Sequence, residues 1–196
     1  ILHFYKRIKS MNREVVLAST FAMLLTACNS TTKNNIVNYE AEGNLRTSEP
    51  VSCVAVNELT NKSNPVDLFY GVNSCLDMGD YAKAADLYLV GMSYGLFDTK
   101  RVIDQSAHQA IPVLRVKILR NKPQRVVSNF QEALNRVISE STPICDNLIK
   151  LGPPQYIPTY MLQHGLRGDN AEIGLHQDFD PNKTWKNTLL TIAKCV

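Results

Sequence analysis

The chain has no excess of charge of either sign over most of its length. It holds 21 Lys and Arg residues against 18 Asp and Glu residues, but four of the bases and one of the acids lie in the first 27 residues, so the numbers are equal, at 17 each, from residue 28 onward. A surface that neutralises nucleic-acid phosphates needs an excess of bases. The composition therefore argues against a nucleic-acid partner, while a hydrophobic fraction of 44% is enough to build a core.

The N-terminal region lacks a hydrophobic run long enough to span a membrane. Its uncharged stretch, residues 15–25, would form about 16 Å of helix, half the thickness of a bilayer core. With Lys6, Arg7 and Lys9 before it, this stretch is typical of a secretory signal peptide. We predict a signal peptide over residues 1–27. Whether translation starts at Ile1 or Met11 stays open and does not alter the mature chain.

The end of the predicted signal peptide reads Leu25-Thr26-Ala27-Cys28. This tetrapeptide resembles the lipobox of bacterial lipoproteins, in which a cysteine follows small residues. The resemblance implies cleavage before Cys28, a diacylglycerol thioether on its sulfur and an acyl chain, such as palmitate, on the new amine. The next residue is Asn29 rather than the Asp of inner-membrane retention, which implies the periplasmic face of the outer membrane. The alternative is an ordinary signal peptide followed by a cysteine by chance.

Secretion implies an oxidising compartment, in which an even number of cysteines predicts disulfide bonds. Besides Cys28 the chain has four cysteines, which are Cys53, Cys75, Cys145 and Cys195. We predict the bonds Cys53–Cys75 and Cys145–Cys195, since each ties a terminal segment of the domain to a helix. Crossed connectivities and free buried thiols are the alternatives. No two cysteines have the spacing of a structural zinc site, so we predict no metal.

Residues 28–52 are rich in Asn, Ser, Thr and Glu and show little apolar periodicity, which predicts a flexible tether. Residues 53–196 then form the periplasmic domain. From Pro65 onward the apolar residues recur with the period of a helix, and no alternating β-branched run bounded by hairpin turns occurs. We predict an all-α domain of about five to six helices.

Local signals place the helix ends. They predict helices from Pro65 to Gly79, from Tyr81 to Leu96, from Asp98 or Thr99 to Leu119 with a kink at Pro112, from Pro123 to Glu140, from Ser141 to Gly152, and from Asp180 onward. Within the fourth, an apolar residue at every fourth position predicts a buried stripe.

The first two predicted helices contain Gly79-Asp80-Tyr81, followed by Ala84, Tyr88 and Gly91. This spacing of small and aromatic residues resembles one tetratricopeptide or Sel1-type helix pair. The resemblance covers about 24 residues and implies two closely packed antiparallel helices. The chain contains no second copy, and about three repeats are needed for a stable stack, so we predict a helix pair and not a solenoid.

Two patterns could carry chemistry. Gly91-Met92-Ser93-Tyr94-Gly95 matches the nucleophile elbow of α/β-hydrolases, but that turn must follow a strand and here lies in a predicted helix. His164 and His176, with nearby carboxylates, could be drawn as a metal site, although solvated loop residues explain them better. We therefore predict no catalytic residue, no metal and no cofactor.

One basic run has no intervening acid and comprises Arg115, Lys117, Arg120, Lys122 and Arg125. Like charges along a helix usually mark a solvated face. The functional alternative is contact with anionic lipid head groups or with an acidic partner.

The irregular segment 152–180 holds the predicted partner-binding residues, which are Tyr156, Tyr160, Met161, His164 and Arg167. Aromatic, Met and Arg side chains are the types that anchor protein interfaces. The alternative is that Tyr156, Tyr160 and Met161 close the core.

These features together predict a non-enzymatic, membrane-anchored periplasmic lipoprotein that binds a protein partner of unknown identity. An immunity lipoprotein that neutralises a periplasm-acting toxin is the alternative. A cell-wall hydrolase is a third, weaker hypothesis.

Overall fold

The computed structural model describes residues 42–165 and 174–195, and over these ranges the protein is all-α, as predicted. The predicted signal peptide, Cys28 and Arg167 lie outside the described residues. The helices are α1 (Pro65–Met78), α2 (Tyr81–Arg101), α3 (Ala110–Leu119), α4 (Gln124–Ser139), α5 (Thr142–Leu151), α6 (Thr159–Leu162) and α7 (Pro181–Ile192), with 3-10 turns at Val56–Glu58 and Gln105–Gln109. None of the helices in these ranges has the length and apolarity needed to cross a bilayer.

The hairpin of α1 and α2 forms where the end signals predict it. The Asn64 side chain accepts hydrogen bonds from the N–H groups of Val66 and Asp67 and so caps α1. Gly79 ends α1 in the left-handed conformation, with a φ of 76°, which glycine adopts without steric cost. A Cβ on Gly91 would lie 2.8 Å from Phe69 Cε1, so the small residue permits the close approach of the two helices.

The predicted start of the third helix, at Asp98 or Thr99, is wrong. Helix α2 does not end at Leu96 but continues to Arg101, because the Asp98 side chain is buried and bonded to other side chains and does not cap a new helix. Helix α3 begins at Ala110, which places Pro112 in its first turn. Backbone N–H groups in a first turn have no partner within the helix, so Pro112 causes no kink.

Helix α2 is the centre of the domain and packs against α1, α4 and α7. On α4 the predicted stripe is only partly buried: Phe130 is in the core and meets Tyr88 edge to face at 5.5 Å, whereas Leu134 and Ile138 are half-buried. On α7, Trp185 packs against Tyr94, with ring centroids 5.5 Å apart. Asp180 caps this helix through a bond from the Lys183 N–H, as its sequence signal predicts.

Both predicted disulfides are confirmed. Cys53 pairs with Cys75 of α1, and their Cα atoms are 4.9 Å apart. Cys145 of α5 pairs with Cys195 after α7, with a Cα separation of 5.4 Å. The two bonds attach the segment before α1 and the end of the chain to the helical core.

The helical domain begins before Cys53, which corrects the boundary of the predicted tether. Asp67 is fully buried, and its carboxylate accepts hydrogen bonds from the Ser48 N–H at 2.8 Å, the Ser48 hydroxyl at 2.8 Å and the Glu49 N–H at 3.1 Å. The Leu45 N–H also donates to the Tyr160 carbonyl at 3.3 Å. A buried carboxylate needs such donors, and residues 42–52 supply them.

Candidate functional site

The predicted partner-binding tyrosines lie mainly inside the domain. Tyr160 and Met161 of α6 are buried, and Tyr156 is half-buried. Tyr160 and Met161 are therefore not accessible to a partner, whereas the interface hypothesis for Tyr156, His164 and Arg167 stays a prediction. The alternative, that these residues close the core, describes Tyr160 and Met161 correctly.

Tyr156 and Tyr160 converge on one carboxylate. Asp98 Oδ2 accepts hydrogen bonds from Tyr160 Oη at 2.7 Å and from Tyr156 Oη at 2.9 Å, while Asp98 Oδ1 lies 2.7 Å from Arg101 Nη2. The guanidinium of Arg101 also lies over the Tyr156 ring, 5.2 Å from its centroid. Asp98 is fully buried and Arg101 nearly so. Sequence reasoning missed this cluster, although the spacing of three residues along a helix between Asp98 and Arg101 was a signal for an ion pair.

Burial governs the titration of this cluster. It raises the pKa of Asp98, against the lowering effect of the Arg101 charge and of the hydrogen bonds from the two tyrosines. The pKa of Tyr160 is raised by burial and by the neighbouring Asp98 charge. Because the buried Asp98 carboxylate of α2 binds Arg101, Tyr156 and Tyr160, the cluster acts as a structural clamp between α2 and residues 156–160.

The histidines are separated. His164 Nδ1 lies 2.8 Å from Asn44 Oδ1, and partial burial lowers the pKa of His164. His176 is exposed, and its backbone N–H donates to the Arg101 carbonyl at 2.9 Å. Among residues 42–165 and 174–195, no three His, Cys, Asp or Glu side chains are grouped so that they could hold a metal ion.

The motif from Gly91 to Gly95 lies in the interior of α2. Ser93 is fully buried, and its hydroxyl has no hydrogen-bond partner among the described residues. A Cβ on Gly95 would lie 2.6 Å from Ile111 Cδ1, so the glycine allows α3 to approach α2. The small residues of this motif therefore serve helix packing, as the sequence analysis expects, and Ser93 is not exposed on a turn.

An apolar groove lies between α5 and α7, and we call it the α5–α7 groove. It has a volume of about 280 Å³, and its lining includes Ile149, Trp185, Lys186, Leu189, Leu190 and Cys195. Ile149 and Leu190 are 59% and 44% exposed, whereas Trp185 and Leu189 are buried beneath them. Apart from the disulfide cysteine, none of these residues stands out in the sequence as a site, because Leu190 shares an apolar periodicity with the core residues of its helix.

A second surface is formed by the outward face of α3, and we call it the α3 ridge. It consists of Val113, Arg115, Val116 and Lys117, with Arg120 directly after the helix, and all five are exposed. A groove of about 780 Å³ separates the ridge from α4, and another of about 370 Å³ separates it from α1. Three of the five bases in the predicted basic run therefore lie on this ridge.

No protein-family model, curated protein or solved structure matches the chain. The resemblances to bacterial lipoproteins and to a tetratricopeptide helix pair remain predictions from the residues that carry them.

Proposed function

We propose that this protein is a non-enzymatic lipoprotein, anchored through Cys28 at the periplasmic face of the outer membrane, whose helical domain binds a protein partner. The lipobox-like residues 25–28 support the anchor. The two disulfides support an oxidising compartment, since such bonds are rare in reducing ones.

The observation that carries the binding role is the α5–α7 groove. Ile149 and Leu190 expose apolar side chains on either side of a floor built from Trp185 and Leu189. Exposed apolar side chains that border a groove offer a partner surface that can be buried on binding. We therefore assign the partner to this groove and not to the segment that contains Tyr160.

The disulfide Cys145–Cys195 gives the groove a fixed shape. Cys145 belongs to α5, and Cys195, which lines the groove, follows α7. The bond therefore holds the two walls together before a partner binds. Preorganisation of this kind lowers the entropic cost of association.

The experiment compares three forms of the lipidated protein, each cross-linked in its own envelope, affinity-purified and analysed by mass spectrometry. Wild type is compared with Leu190→Asp in the groove and with Ile157→Asp, which changes an exposed apolar residue outside it. We expect a partner that is recovered with wild type and Ile157→Asp and lost with Leu190→Asp.

The recovered partner is then purified and titrated against the three forms. A central interface residue contributes about 2 kcal/mol or more, so Leu190→Asp should raise Kd by about thirtyfold while Ile157→Asp leaves it within about twofold. Equal binding of all three forms would overturn the assignment to this groove.

A further inference from the structure

Helix α3 is mostly apolar, although one of its sides is exposed. Apart from Arg115 and Lys117, every residue of α3 is apolar. Ile111, Leu114 and Ile118 face the core, but Val113 and Val116 on the opposite side are 42% and 64% exposed. A helix that is apolar on all sides is normally covered on all sides. The α3 ridge therefore presents apolar surface that nothing in the described chain covers.

The exposed valines are surrounded by positive charge. Between Asp104 and Glu132 the sequence contains five Lys and Arg residues and no acid. Lys122 is paired with Asp77, and Arg115 donates to the Tyr88 hydroxyl at 2.9 Å. Lys117, Arg120 and Arg125 are exposed and form no ion pair with a described acid, so their charge is available to an anionic surface.

The α3 ridge is convex, because a groove runs along each of its sides. Apolar residues at the crest, with long cationic side chains beside them, suit the boundary between acyl chains and head groups: the valines enter the apolar layer while the charged ends reach phosphate oxygens. An acidic protein would bind such charge too, and the groove beside α4 would admit one of its side chains, but charge alone would leave the exposed valines without the apolar partner that acyl chains supply. The convex crest and its exposed valines therefore favour a lipid surface.

The first described residues of the chain lie beside this ridge. Leu45, Arg46 and Thr47 line the groove between α1 and α3 together with Lys117 and Tyr70. From Cys28 to Glu42 a fully extended chain reaches about 50 Å at most. A domain held within this distance of a bilayer has a high effective concentration at its surface.

We propose that the α3 ridge docks on the anionic phospholipid head groups of the membrane that carries the anchor. The inference rests on the proposed function, because the anchor supplies the proximity. Docking through this ridge would orient the domain on the membrane, and the α5–α7 groove shares no lining residue with it.

The test uses the mature chain, residues 28–196, with Cys28→Ser, so that no lipid contributes to binding. Its two disulfides and its melting temperature are checked first. Flotation is then measured with vesicles of pure phosphatidylcholine and with vesicles that contain phosphatidylglycerol as well. We expect at least about tenfold tighter binding to the anionic vesicles, and its loss at high salt, because screening weakens contacts between surface charges.

Two sets of variants locate the contact. The ridge variant Lys117→Gln, Arg120→Gln should bind anionic vesicles at least tenfold more weakly, since each base near such a surface contributes about fivefold. The control Lys62→Gln, Lys100→Gln removes the same number of exposed charges elsewhere and should stay within about twofold. The double variant Val113→Ser, Val116→Ser should bind anionic vesicles more weakly than wild type, and that binding should still decrease with salt.

Equal loss in the ridge and control variants would overturn the proposal, because net charge would then explain the binding. Equal binding to both kinds of vesicle would do the same. Binding to immobilised polyglutamate without binding to anionic vesicles would assign the ridge to an acidic protein instead. Since the assay uses a chain without lipid, its failure leaves the anchor untouched, and the anchor is tested separately by mass analysis of Cys28.

Discussion

Asp98 and Arg101 form an ion pair inside the domain, at the end of α2, with Asp98 Oδ1 at 2.7 Å from Arg101 Nη2. The second oxygen of Asp98 accepts bonds from Tyr156 and Tyr160, which lie about 60 residues further along the chain. The backbone carbonyl of Arg101 accepts a bond from the His176 N–H at 2.9 Å. One turn of helix therefore holds two later segments of the chain in place.

The first prediction concerns this ion pair. Asp98→Asn leaves the buried guanidinium of Arg101 without its counter-charge, and we expect the free energy of unfolding to fall by about 3–5 kcal/mol. Urea denaturation measures the loss. Asp77→Asn is the control, because it removes the exposed partner of Lys122 and should cost less than about 1 kcal/mol. Similar losses in both variants would show that the buried cluster does not hold the fold.

The second prediction separates the ring of Tyr160 from its hydroxyl. Tyr160→Phe removes only a hydrogen bond to a buried carboxylate and should lower the free energy of unfolding by about 1.5–3 kcal/mol. Tyr160→Ala also leaves a cavity and should lower it by about 3–5 kcal/mol. Thermal unfolding followed by circular dichroism measures both, with Tyr70→Phe as an exposed control. A Tyr160→Ala protein that melts like wild type but loses its partner would support an interface in this segment and contradict a core role for Tyr160.

The third prediction concerns pH. Burial lowers the pKa of His164 below its ordinary value of 6.5, so the unfolded chain takes up a proton at a higher pH than the folded one. The neutral imidazole therefore contributes stability that is fully present above pH 6.5 and is lost as the pH falls through the folded pKa. We expect the stability difference between wild type and His164→Gln to shift against wild type between pH 7.5 and pH 5.

Urea denaturation across this pH range provides the measurement, and His176→Gln is the matched control because His176 is exposed. A difference between wild type and His164→Gln that stays constant with pH would contradict the assigned effect of burial. A parallel shift in the His176→Gln protein would point to a general charge effect.

The fourth prediction concerns the anchor. Intact-mass analysis of protein purified from membranes should find Cys28 as the first residue, with a diacylglycerol thioether and an acylated amine. Cys28→Ser should abolish the added mass. It should also release the domain from the membrane fraction at high salt, because salt screens the remaining attraction between surface cations and the membrane. An unmodified Cys28, or cleavage at another position, would end the lipoprotein hypothesis.

The helix ends at Asn64, Gly79 and Asp180 could be read from the sequence because the signals are local. An N-cap side chain bonds to N–H groups two or three residues away, and a glycine at a C-terminus relieves a clash within its own residue. Four cysteines allow three connectivities, and the predicted one, in which each bond ties a terminal segment of the domain to a helix, is confirmed. The all-α fold was predicted from another local signal, the helical period of the apolar residues.

Long-range contacts decided what those local signals left open. Asp98 is of a residue type that often caps a helix. Here it is buried and accepts hydrogen bonds from Tyr156 and Tyr160, and α2 continues beyond it to Arg101. Residues 42–52 have the composition of a linker, but the buried carboxylate of Asp67 needs the donors that Ser48 and Glu49 supply. Which apolar side chains stay uncovered, Val116 and Leu190 among them, also depended on how the helices pack. Local signals were enough to locate most of the helices, because the hydrogen bonds of a helix close within a few residues. Burial depends on partners far along the chain, so it followed only from how the helices pack.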